Sequence, residues 1–250
     1  MLALRALYGS ITLDQCPPPA QVCLETLMSN DDRARLVRSL NIQWQRQTTM
    51  EAESMSTDQF GDLLKACLMR LVNLERLSLD FNVFETFPSL NDTFPFELIS
   101  FSTTLPWNED LVAFLGSQAS SLRELRLDFD GGDGSMALGD RLFPDIRVLY
   151  WGGNASVETL STILKETWPS LEQLHMKFAS IKATEDVVHL LQQYSIIPSR
   201  LDFTFDVQGA LGCLSGLQTE ELWLGGPNVI GSPNGLTVSI LYFLLLPTGY

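Results

Sequence analysis

The sequence predicts an α/β repeat protein, a solenoid (horseshoe) in which short parallel strands form a concave sheet and helices cover the convex side. Three observations predict it. An apolar-x-x-apolar-x-apolar pattern recurs along the chain, and the segments between its copies switch to helical spacing. At 250 residues, with 45% hydrophobic and 18% charged, the chain also has apolar material for an extended core.

The fullest copy of the pattern runs Leu74-Glu75-Arg76-Leu77-Ser78-Leu79-Asp80-Phe81-Asn82. Further clear copies begin at Leu122, Ile146 and Leu171, and weaker ones centre on Leu40, Phe101, Leu201 and Leu222. The second apolar position therefore falls at residues 40, 77, 101, 125, 149, 174, 201 and 222, in steps of 37, 24, 24, 24, 25, 27 and 21. All eight of these residues are apolar. At the next inward position Ile42, Leu79, Leu127, Trp151, Met176, Phe203 and Leu224 are apolar too, and Thr103 is the exception. Alternation of this kind marks a strand with one buried face. The ninth position holds Asn82, Asp130, Asn154 and Asp206, which suit a turn that ties up backbone groups, but also Gln45, Pro106, Ala179 and Pro227.

Between the strands, Ser56 and Gln59 form a capping-box pattern ahead of Phe60, Leu63, Leu64, Cys67, Leu68 and Leu71. Asn108 is an N-cap for a helix carrying Leu111, Phe114 and Leu115. Ser156 starts a helix with Val157, Leu160, Leu164 and Trp168, and Thr184 one with Val187, Leu191 and Tyr194. Pro17 to Pro19 precede a helix that runs to Met28. Asp130 to Asp140 reads as a loop. The resulting organisation is an N-terminal helical cap over 1–36, repeats over 37–227 and an apolar C-terminal cap or tail over 228–250.

These copies resemble leucine-rich repeats. With a helical segment before Ala34 to Trp44, their order resembles the repeat region of fungal F-box/leucine-rich-repeat proteins, although no recognisable F-box precedes the repeats. The resemblance implies a protein-binding module, the substrate-holding part of a ubiquitin-ligase receptor, with a Skp-type adaptor as a possible second partner.

Composition narrows the function further. A formal charge of -14, without a dense basic cluster, argues against nucleic acid. Arg33, Arg35 and Arg38 lie beside Asp31 and Asp32 and read as a solvated face. Cys16, Cys23, Cys67 and Cys213 make no C-x-x-C pair, so no metal site is expected, and free thiols suit a cytoplasmic or nuclear protein. Neither a signal peptide nor a membrane span is expected; the apolar Gly235 to Tyr250, whose stretch to Leu246 is too short for an ordinary span, reads first as a final buried strand or helix, ahead of an exposed interface or a tail anchor.

No enzymatic motif or cofactor site emerges. Gly226 to Ser232 has phosphate-loop glycine spacing without its Lys, and Asp130 to Ser135 lacks the full calcium-loop pattern. His175 and His189 have no nucleophile nearby in sequence, and the pairs Glu109-Asp110 and Glu185-Asp186 read as first-turn acids of helices. The outward residues are more informative. The central column reads Asn41, Ser78, Ser102, Arg126, Tyr150, His175, Asp202, Trp223, and the column before it ends in Gln173, Arg200, Glu221. Large aromatics and Arg on a solvated sheet face mark interfaces. Arg126, Tyr150, His175 and Trp223 are therefore the candidate partner-binding strip. The competing readings are a hydrolase assembled around His175 on the concave face and a purely architectural repeat protein.

Overall fold

The computed structural model describes residues 2–13, 19–44, 57–81, 93–105, 108–129, 143, 145–153, 160–161, 170–178, 181–205, 219, 221–225 and 238–240. The architecture is α/β, and the chain divides into two compact units, Met1–Leu122 and Arg123–Tyr250.

The first unit runs α1 (Leu2–Tyr8), β1 (Ser10–Leu13), α2 (Pro19–Met28), α3 (Asp31–Ala34), β2 (Ser39–Trp44), α4 (Thr57–Leu68), β3 (Arg76–Phe81), β4 (Ser100–Thr103) and α5 (Glu109–Gln118). Strands β1 to β4 are parallel and lie in sequence order, with Ile11 opposite Leu40, Leu40 opposite Leu77 and Leu77 opposite Phe101. The second unit carries β5 (Glu124–Phe129), β6 (Val148–Gly153), β7 (Gln173–Phe178), α6 (Ile181–Gln193), β8 (Arg200–Phe205), β9 (Glu221–Gly225) and β10 (Val238–Ile240). Here β5 to β9 are parallel in order, with Leu125, Leu149, Leu174, Leu201 and Leu222 in one row. The eight strands expected from the periodicity are thus β2 to β9, in the expected register within each unit.

Two strands lie outside that set. In β1, Tyr8-Gly9-Ser10-Ile11-Thr12-Leu13 repeats the pattern inside the segment read as a helical cap. Three residues of the apolar tail form β10, which runs antiparallel to β9; the rest of the tail lies outside the described residues. So do all eight ninth-position residues, the loop Asp130 to Asp140 and most of the helix expected after Ser156, of which Leu160 is buried.

A two-to-one hydrogen bond recurs where strands begin. The Gly9 carbonyl accepts from the amides of Arg38 (3.0 Å) and Ser39 (3.1 Å). The Arg38 carbonyl accepts from Glu75 (2.9 Å) and Arg76 (3.0 Å), and that of Glu75 from Ile99 (2.8 Å) and Ser100 (3.1 Å). In the second unit Arg123 holds Arg147 (2.8 Å) and Val148 (3.1 Å), and Arg147 holds Glu172 (2.8 Å) and Gln173 (2.9 Å). The Glu172 carbonyl takes the Arg200 amide at 3.0 Å and the Ser199 hydroxyl at 2.8 Å. Each clasp fixes where a strand enters the sheet, and so which residues face inward.

Inward residues build the core. Leu40, Ile42, Leu77, Leu79 and Phe101 in the first unit, and Leu125, Leu127, Leu149, Trp151, Leu174 and Met176 in the second, are all buried. Phe114 of α5 packs on Phe101 of β4 at 5.1 Å between ring centroids, and Phe60 of α4 meets Phe81 of β3 edge-on at 6.4 Å. The polar exception Thr103 is buried because β4 ends there: its hydroxyl accepts the Leu105 amide at 3.0 Å. The next hydroxyl, Thr104, accepts the Phe81 amide at 2.9 Å and donates to the Asp80 carboxylate at 3.2 Å, so a side chain extends a ladder that the short strand leaves incomplete.

Helix ends follow the sequence in part. Asn108 caps α5, its side chain accepting the Leu111 amide at 2.8 Å, and Leu111, Phe114 and Leu115 are buried as spaced. Helix α6 begins at Ile181, ahead of Thr184, so Glu185 and Asp186 lie beyond its first turn and the dipole account does not hold for them. It closes in a reciprocal pair of bonds, Ser195 amide to Gln192 carbonyl (3.2 Å) and Ile196 amide to Leu191 carbonyl (2.9 Å), with Ser195 at φ 54° in the left-handed region. The basic stretch is engaged: Arg33 sits 5.5 Å over the Tyr8 ring, and Arg38 pairs with Glu75 at 2.7 Å.

Two buried polar groups give tests. Gln118 on α5 is buried, and its Oε1 accepts the Leu98 amide at 2.9 Å. Gln118→Leu keeps the bulk and strands that amide, so we expect a loss of about 1–3 kcal/mol in chemical denaturation. An unchanged midpoint would show the bond to be dispensable. Burial pushes the Cys67 thiol from an ordinary 9.0 up to about 12, and the neighbouring Cys23 adds to the rise. The unfolded thiol then loses its proton first. The stability that Cys67 contributes is complete below pH 9.0 and falls as pH rises toward about 12. Denaturant midpoints across that window should fall less steeply in Cys67→Ala than in the parent, and parallel slopes would overturn the assignment.

Candidate functional site

The parallel register of the second unit places one outward residue of each strand in a single row. Arg126 of β5 lies opposite Tyr150 of β6, Tyr150 opposite His175 of β7, His175 opposite Asp202 of β8, and Asp202 opposite Trp223 of β9. Adjacent strands stand about 4.8 Å apart, close enough for each side chain to meet its neighbour.

The side chains do meet. The Arg126 guanidinium lies over the Tyr150 ring, 4.2 Å from its centroid. On the far side the His175 ring stacks against Tyr150, at 6.1 Å between centroids and 24° between planes. His175 Nδ1 is 2.6 Å from Asp202 Oδ2. A carboxylate only accepts, so Nδ1 is the donor. Arg200, which precedes Asp202 by two residues on the same face, closes the row with Nε 3.1 Å from Oδ1 and Nη2 3.2 Å from Oδ2. Asp202 thus receives three charge-assisted contacts, while a cation–π contact on an open face contributes only about 0.5–1 kcal/mol. The Arg200–Asp202–His175 cluster is the fixed end of the row and Arg126 the open end.

The row is partly open to solvent: Arg126 is exposed, and Tyr150, His175 and Asp202 are half-buried. Three of the four expected strip residues, Arg126, Tyr150 and His175, are joined by direct contact. Trp223 is joined by backbone register, with Asp202 on one side and Ser239 of β10 on the other; its side chain lies outside the description. The contacts of Asp202 and Arg200 were missed in the sequence reading. Their positions two residues apart on one strand face, beside His175, were the available signal.

Gly152 shapes the margin of the row. A Cβ there would come within 2.6 Å of Asp128 Oδ1 and 3.3 Å of Tyr150 Cε1. The bare backbone makes room for the Asp128 carboxylate beside the Tyr150 ring.

The row presents charge and aromatic surface. The ring nitrogens of His175 face Asp202 (2.6 Å) and Gln173 Oε1 (3.4 Å), so its hydrogen-bonding neighbours among the described residues are a carboxylate and an amide. Among the described residues no group of three or more His, Cys, Asp or Glu is placed to hold a metal ion, and no helix is long and apolar enough to cross a membrane.

Neither a protein-family model, a curated protein nor a solved structure matches the chain. The reading of the site therefore rests on its geometry.

Gly152→Ala tests the packing of that margin. The added methyl must displace Asp128 and crowd Tyr150, so the variant should fold with a perturbed Tyr150 environment. Near-ultraviolet circular dichroism unchanged from the parent would contradict the close approach.

Proposed function

We propose that the chain is a leucine-rich-repeat-type protein-interaction module, without catalytic activity of its own, that holds a protein partner against the outward face of its parallel strands. The observation that carries this reading is the unbroken contact row Arg126–Tyr150–His175–Asp202, with Trp223 next in register. Arg, Tyr and Trp are the residue types that concentrate binding energy in interfaces, and here Arg126 and Tyr150 occupy adjacent strands with Trp223 three strands further along the same row. A side chain held in place by its neighbours loses little entropy on binding. On this reading the parallel strands form the concave sheet of a horseshoe and the helices its convex side.

Within the same reading, the resemblance to F-box/leucine-rich-repeat proteins makes a ubiquitin-ligase substrate the leading class of partner, with ligase chemistry carried by associated subunits. A cytoplasmic or nuclear setting goes with that role.

The test is capture of interacting proteins from a lysate of the source cells. The tagged full chain is compared with a variant carrying Arg126→Ala, Tyr150→Ala, His175→Ala and Trp223→Ala. The parent should retain a defined partner that the variant loses while far-ultraviolet circular dichroism shows both proteins folded. Retention by both proteins would sink the strip as the binding surface. Co-recovery of a Skp-type adaptor and a cullin would support the ligase assignment, and a partner without them would leave an interaction scaffold alone.

A further inference from the structure

We infer that Arg126 is the specificity contact of the strip and takes a carboxylate from an acidic side chain of the protein partner; this rests on the interaction reading above. The argument starts from the state of the guanidinium. It is exposed, its Cζ lies 4.2 Å over the Tyr150 ring centroid, and among the described residues it makes no ion pair or hydrogen bond. A cation–π contact uses the charge of the group and consumes none of its five N–H donors, which stay available to an acceptor.

Acidic neighbours are at hand. Glu124 and Asp128 stand two residues to either side on the same face of β5, yet no ion pair links either to Arg126. Asp128 sits over the bare backbone of Gly152 instead. The arginine is thus oriented by an aromatic ring and not neutralised by its own strand.

The other charges of the row are used internally. Asp202 is bound by Arg200 through two nitrogens, at 3.1 and 3.2 Å, and by His175 at 2.6 Å. The only acid in the row is thereby neutralised, and Arg126 remains as its open cationic end. A planar fork of donors with its orientation set in advance matches a carboxylate, which accepts two parallel hydrogen bonds from it. A sheet face reaches such a group when it projects on a side chain. Basic and apolar partners gain nothing from these donors.

The experiment is selection from a displayed library of random dodecapeptides on the immobilised full chain, run in parallel on four variants. With the parent, enriched sequences should carry Asp or Glu at one fixed position, and Arg126→Ala should weaken a selected peptide by about ten- to a hundredfold. Arg126→Lys should keep the acidic preference at reduced affinity, because charge survives and the fork does not. Arg126→Glu should exchange the acid for Lys or Arg. A Tyr150→Ala, Trp223→Ala double variant, the fourth, separates the arginine from the aromatic part of the strip. Loss of binding on Arg126→Glu without exchange overturns the assignment. Enrichment of apolar or basic peptides that still depends on Tyr150 and Trp223 overturns it and leaves the interaction strip standing. Enrichment indifferent to every strip residue, or none at all, overturns both.

Discussion

Strands β2, β3, β4, β6 and β7 each enter the sheet under a carbonyl of the preceding copy of the repeat that accepts two of their successive amides. Everything on the outward face depends on that clasp. A parallel sheet has no tight turn to set its register, and a slip of one residue would exchange the buried and the solvated faces. With Arg123 holding Arg147 and Val148, and Arg147 holding Glu172 and Gln173, the inward positions can only be Leu149 with Trp151 and Leu174 with Met176. The row from Arg126 to Trp223 is the same register seen from the other side.

Within the row, the order of strength matters. The Arg200–Asp202–His175 cluster joins two basic groups to one acid through contacts of 2.6 to 3.2 Å, and the ring stack passes that fixed position to Tyr150. The weakest link, Arg126 on Tyr150, is also the most exposed. On the proposed reading, the fixed end of the row and its recognition end lie apart on one line of side chains. The chain as a whole carries a formal charge of -14, so the acidic partner we propose would be repelled at long range and attracted only at contact.

Much of this was legible in the sequence, for a definite reason. The apolar residues at 40, 77, 101, 125, 149, 174, 201 and 222 repeat at a spacing that only stacked strands exploit, and once they are placed the outward columns follow by alternation. The N-cap Asn108 was legible because its hydrogen bond is local. Strand β1 escaped because its copy opens with Tyr8-Gly9 between two helices, where a helical reading competes. The onset of α6 at Ile181 escaped because Thr184 offered a stronger local signal than the apolar residue that begins the helix. Side-chain choices were less legible still. That Arg200 takes Asp202, and that Arg126 takes an aromatic ring in place of Glu124 or Asp128, depends on rotamers and on the space above Gly152, neither of which a column of letters encodes.

The clasp has a consequence for how such a chain changes over time. Consecutive strand copies are separated by as few as 21 residues and as many as 37, yet each described clasp seats the next strand at its entry, whatever path the connection has taken. Loop length is decoupled from the geometry of the face. Residues can be gained or lost in the connections without moving Arg126 relative to His175, which leaves one side of the molecule free to diversify while the other keeps its pattern.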